Sequence, residues 1–121
     1  MANPNLIKTK QIFGKTTPLV LTTSSQQVVE NDSISDSIYK INTVMFSNKT
    51  STARTATIGI TRSAVFYELV TDIGIPGNSS VVVISKDNGI FLEEGDSLDA
   101  VASANSAINT FISYETITDQ V

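Results

Sequence analysis

Four carboxylates, Glu93, Glu94, Asp96 and Asp99, crowd around Gly95 and are the side chains of this sequence best spaced to do chemistry. Paired carboxyl groups suit general acid–base work, and hard oxygen ligands gathered at a turn suit calcium. A glycosidase pair, however, must face itself across a substrate cleft, and no pattern here marks one. The expected role is an acidic turn held in water and bent at Gly95. Asp87-Asn88-Gly89 has the beginning of a calcium loop without its spaced acids or closing glutamate, so a plain turn is expected there as well.

Other chemistries are narrowed by what the chain lacks. There is no His and no Cys, so Ser-His-Asp and Cys-His arrangements, histidine general bases, thiolate ligands and disulfides are all out of reach. The 6 glycines are scattered singly, and none opens a helix that could cradle a phosphate. The expectation is a protein that is not an enzyme, with no catalytic residues, no cofactor and no metal.

The elements that must carry these residues read as strands. The chain has 121 residues, 40% hydrophobic and 17% charged, enough apolar material for one core and too little charge for a disordered chain. Val, Ile, Thr and Ser dominate, and no run of helix formers occurs. Strands are expected at 16–23, 26–30, 38–48, 53–62, 65–73, 81–84, 90–92, 98–103 and 108–117, the first two forming a hairpin. Pro18 marks the first as an edge. Residues 38–48 are apolar on both faces in their second half, which suits a central strand. The run Val81–Ile84 suits a strand covered on both faces, and Asp87-Asn88-Gly89 a hairpin loop after it. About eight or nine short strands at even spacing imply an all-β single domain over 1–121, a two-sheet β-sandwich of jelly-roll or immunoglobulin-like topology.

Residues 1–15 lack sustained alternation and are expected to form an extended arm. Its Lys8, Lys10 and Lys15 are the only charged residues there, leaving 5 basic against 12 acidic residues in the rest. An acidic body argues against nucleic-acid binding. The arm's lysines suit either solubility or contact with an acidic neighbouring subunit, and the second reading makes Leu6, Lys8, Lys10, Phe13 and Lys15 the candidate partner-binding residues. No apolar stretch approaches the ~18–20 residues of a membrane span and no secretory signal is visible, so no membrane partner is expected. The sequons at Asn31, Asn48 and Asn78 accordingly read as turn residues. With no Trp, and with alternation burying most of the aromatic residues, a sugar- or base-stacking surface is not expected.

Met1-Ala2-Asn3-Pro4-Asn5-Leu6, Ile12-Phe13-Gly14-Lys15-Thr16, Tyr39-Lys40-Ile41-Asn42, Leu92-Glu93-Glu94-Gly95-Asp96-Ser97-Leu98 and Ser113-Tyr114-Glu115-Thr116-Ile117 together resemble a family of small virion proteins of tailed phages infecting marine cyanobacteria and other aquatic bacteria. The resemblance spans nearly the whole chain. It implies a virion structural protein assembled in the host cytoplasm, foremost a capsid decoration (cement) protein that binds major capsid or other virion proteins, self-associates into a homo-oligomer and stabilises the head. The alternatives are a tail, neck or baseplate component, or a module binding a host-surface glycan or receptor.

Overall fold

The computed structural model describes residues 9–85, 87 and 89–119. Among them are nine strands, β1 (Thr9–Val20), β2 (Gln26–Glu30), β3 (Ser37–Asn48), β4 (Arg54–Arg62), β5 (Val65–Ile75), β6 (Ser80–Ile84), β7 (Ile90–Leu92), β8 (Ser97–Ala102) and β9 (Ile108–Asp119). None of the described residues forms a helix long and apolar enough to cross a membrane.

Two antiparallel sheets result. The first, sheet A, has the order β1-β9-β3-β6, with β7 also paired to β3, and the second, sheet B, has the order β2-β8-β4-β5. β6 and β7 lie end to end along β3, against Val44–Ser47 and Tyr39–Ile41 respectively. Treated as one interrupted strand, they complete a long antiparallel ribbon in which β4 pairs β5, β3 pairs β6/β7, β2 pairs β8 and β1 pairs β9. That ribbon wrapped over itself is the jelly-roll order; an immunoglobulin-like sandwich distributes its strands differently.

Alternation builds the core. Ile41, Val44, Phe46, Ile112 and Tyr114 point inward from sheet A, and Ile58, Leu98, Ala100 and Ala102 from sheet B. Tyr39 and Tyr114 extend this cluster with ring centroids 5.5 Å apart. Burial, with lesser repulsion from Tyr114, Asp32 and Glu30, pushes the Tyr39 phenol above its ordinary pKa.

Several expectations are corrected. β1 starts at Thr9, because residues 9–15 of the expected arm already pair with β9. Phe13, Gly14, Lys15 and Thr16 are all exposed, so this stretch is held by its ladder and carries no alternating pattern. β1 and β2 fall in different sheets and form no hairpin. β6 is a sheet edge with Val82 open to solvent, and β6 and β7 both pair with β3 and do not form a hairpin with each other. Asn88 lies outside the described residues.

β5 departs most from simple alternation. Opposite Ala56–Gly59 its register shifts twice, so that Ile58 faces Val70 while Gly59 faces Glu68. Leu69 is therefore an extra residue, and Val70 joins the face of Tyr67 where strict alternation would set them apart. At the second bulge Asp72 takes φ 48, and its N–H is capped by the buried Thr57 hydroxyl at 2.9 Å. Gly59 permits this close approach: a Cβ there would lie 2.1 Å from the Tyr67 carbonyl oxygen. Gly59→Ala is expected to cost about 2–3 kcal/mol in urea unfolding, in the range of overpacked cores, with early loss of β5 amide protection in hydrogen exchange.

A candidate protein-docking face

Cross-strand register places side chains that are far apart in sequence side by side on the outside of sheet A. Pro18 stands opposite Phe111, Phe111 opposite Met45, and Met45 opposite Val82. These four positions form an apolar row across β1, β9, β3 and β6, and Val82 is 59% exposed. Val20 lies beside the row, and a hollow of about 460 Å³ opens among Pro18, Val20 and Phe111.

A second apolar patch occupies the other end of the same face. Ile38 is opposite Ile117, and Phe91, 53% exposed, lies next to them on β7. Here the surface sinks into a groove of about 870 Å³ whose floor is Ile38, Phe91 and Ile117 and whose rim is Asp36, Glu93 and Glu94. Lys40, opposite Phe91 on one side and Glu115 on the other, is the cation nearest in register.

Sheet B presents a different exterior. Thr57, Gly59 and Thr61 pair with Val101, Asp99 and Ser97. The Asp99 carboxylate accepts from the Thr61 hydroxyl at 2.5 Å and from the Ser97 hydroxyl at 2.9 Å. One outer face is thus laced by its own hydrogen bonds, and the other carries apolar rows that no part of the described chain covers. Val65, Phe66, Tyr67 and Leu69 at the tip of the β4–β5 hairpin form another exposed apolar strip, on the edge of sheet B.

The acidic turn is a structural joint. Asp96 is 2% exposed, contrary to the expected hydrated carboxylate. Its oxygens accept from Arg62 Nε at 2.9 Å and Arg62 Nη2 at 2.6 Å, and Oδ2 also accepts from the Glu93 N–H at 2.8 Å. Gly95, at φ 89, supplies the bend. Glu94 accepts from the Asp36 N–H at 2.7 Å, and Glu93 lies 3.5 Å from Arg62. Among the described residues no three Asp or Glu side chains come close enough to share a metal ion. The carboxylates of this turn are directed at Arg62, backbone N–H groups and hydroxyls.

Hydrogen bonds from Arg62, outweighing burial, hold the Asp96 carboxyl below the usual carboxylate range. Because its folded-state pKa is depressed, its stabilisation is complete above the unfolded value near ~3.9 and is lost as pH falls through the lower folded value. Acid melts should show a falling limb below about pH 4. Asp96→Asn, which removes the titrating charge, should flatten that limb and lower stability at neutral pH.

All three sequon asparagines serve the backbone. Asn31 and Asn48 are buried with their amides fully engaged, and Asn78 is an exposed turn residue at φ 56. Of the sequence-derived partner residues, Phe13 and Lys15 are exposed on β1, opposite Thr116 and Tyr114. Lys10 lies in β1, and Leu6 and Lys8 fall outside the described residues. The docking face itself escaped the sequence reading. Its one local signal was the doubled apolar character of β3, where Met45 and Phe46 point to opposite faces.

No protein-family model matches the chain, and neither does any curated protein. Among solved structures it is similar to a protein of Bacillus endospore appendages, which are described as forming a novel family of disulfide-linked pili. The two share a TM-score of 0.58 and 17% identity over 93% of this chain and 91% of that one. At that identity the likeness is one of fold.

Proposed function

We propose that this chain is a structural subunit that joins a large protein assembly through the outer face of sheet A, and specifically that it decorates and cements the capsid of a tailed phage. The observation that carries this reading is the uncovered row Pro18–Phe111–Met45–Val82. Twelve-residue strands make a face about 40 Å long and roughly 15–20 Å wide, on the order of the ~800 Å² that each partner contributes to a standard stable interface. Contiguous apolar residues left uncovered on such a face of a small monomer mark interaction surfaces.

The virion setting rests on the sequence resemblance. The likeness in fold to a pilus protein supports repeated assembly more generally. These 121 residues contain no cysteine, so any assembly they form is not held by disulfides, unlike disulfide-linked pili. A cement protein gains its effect by spanning several shell subunits at once, so that one broken contact leaves the others holding.

Copy number on purified particles tests the proposal. Hundreds of copies per head, together with heads that lose heat resistance when the protein is stripped, support decoration. A few copies per particle point to the tail, neck or baseplate, and adsorption of the free protein to cell-envelope glycans points to a host-binding module.

A further inference from the structure

We infer that the acidic-rimmed groove over Ile38, Phe91 and Ile117 receives residues 1–8 of a second copy of this chain. The inference rests on the assembly reading above and names a partner for the far end of the same face.

Complementarity is the first argument. The groove has an apolar floor and a rim of Asp36, Glu93 and Glu94, while Arg62, the cation beside Glu93, is committed to Asp96. A fitting ligand is an extended segment with adjacent apolar and basic residues and no carboxylate. The sequence contains such a segment: Leu6-Ile7-Lys8, followed by Lys10, with no Asp or Glu anywhere before Glu30. Of its other cations, Lys40, Arg62 and Lys86 have a carboxylate within ten residues, and Lys49 and Arg54 lie beside or within strands β3 and β4 of the folded domain.

Reach decides between the chain's own groove and a neighbour's. β1 enters its ladder at Thr9, opposite Asp119, at the end of the sheet where Ile38 and Ile117 also lie. Phe91 is three strand spacings across the face, about 15 Å. Leu6 is three residues before Thr9 and can extend at most ~11 Å from it. Leu6 and Ile7 can therefore reach Ile117 and Ile38 of their own groove, about 5 and 10 Å away, but not Phe91, so a contact of these two side chains with Phe91 needs a second copy. The line of β1 before Thr9 leads off the end of the sheet, where a second copy can lie.

The test uses three full-length or near full-length proteins: the native chain, a chain lacking residues 1–8, and Phe91→Lys, whose exposed position leaves folding intact as checked by a thermal melt. Sedimentation over a concentration series should show the native chain self-associating and each variant at least tenfold weaker. An equimolar mixture of the two variants should form a 1:1 complex, because one supplies the groove and the other the segment. A native chain that stays a single copy throughout, or variants that fail to complement, overturns the inference. Both variants keep the Pro18–Phe111–Met45–Val82 row, so particle occupancy separates the two readings. Retained occupancy without self-association removes only this inference, whereas full occupancy by Phe111→Lys removes the functional proposal itself.

Discussion

Lysine in place of Phe111 or Met45 is expected to release the protein from its assembly while leaving it folded. Both side chains are half-buried on the outside of adjacent strands, β9 and β3, and they face each other at the centre of the apolar row. Central aromatic and apolar anchors carry most of an interface's binding energy, with losses of about 2 kcal/mol or more when truncated. An ammonium group buried without a partner adds a desolvation cost on top. Each variant should therefore bind at least ~100-fold more weakly, and the pair together should show no measurable occupancy on particles. The folded state has less at stake, since a solvent-facing strand substitution moves stability by about 1 kcal/mol or less. Gln27→Lys, on the exposed outside of sheet B, is the control and should bind normally. Quantitative mass spectrometry of particles incubated with each variant reads all four.

The largest effects on stability belong to the two buried asparagines. Asn31 Nδ2 donates to the Ser37 and Leu92 carbonyls at 3.0 and 2.9 Å, and its Oδ1 accepts from the Ser35 hydroxyl. Its own N–H and C=O pair with Asp96 and Gly95, so it ties β2, β3 and the acidic turn together. Asn48 does the same at the other end of β3. Its Nδ2 donates to the Thr52 and Ile75 carbonyls at 2.8 and 3.0 Å, and its Oδ1 accepts from the Thr50 N–H and hydroxyl.

Alanine at either position strands buried carbonyls, each costing about 1–3 kcal/mol. A loss of about 3 kcal/mol is expected for each variant, or a fall of roughly 10 °C in melting temperature for a domain of this size. The two sites sit at opposite ends of a twelve-residue strand, some ~35 Å apart, so their effects should add in the double variant. Thermal and urea unfolding of the single and double variants checks both the size and the additivity.

Local pattern made the strands legible and left their pairing hidden. Period-two alternation in β4 and β9, the turn at Ser63-Ala64 and the edge proline of β1 could all be read from neighbouring residues. The turn's two residues take φ 54 and 65, as a tight hairpin requires. The start of β1 was invisible because Phe13 to Thr16 are all exposed and the strand is defined by pairing with a strand a hundred residues later. The bulges of β5 were equally hidden, since one extra residue inverts the facing of all that follow.

The acidic turn shows the same limit in a site. Four carboxylates near a glycine announce a polar turn, but only the fold brings Arg62 within 2.6 Å of Asp96 and buries that carboxylate against a half-exposed guanidinium. The docking face is the extreme case. Pro18, Met45, Val82 and Phe111 come from four strands, and their alignment is a property of register that no local window contains.

Hydroxyl-radical footprinting of the protein free and on its particle tests the central claim most directly, because Met and Phe side chains report their own solvent exposure. Oxidation at Met45 and Phe111 should fall sharply on assembly, while Phe66 and Tyr67 on the β4–β5 hairpin stay reactive. Unchanged oxidation at Met45 and Phe111, with protection appearing on the hairpin instead, would show that the molecule assembles through the edge of sheet B and contradict the role assigned to the outer face of sheet A.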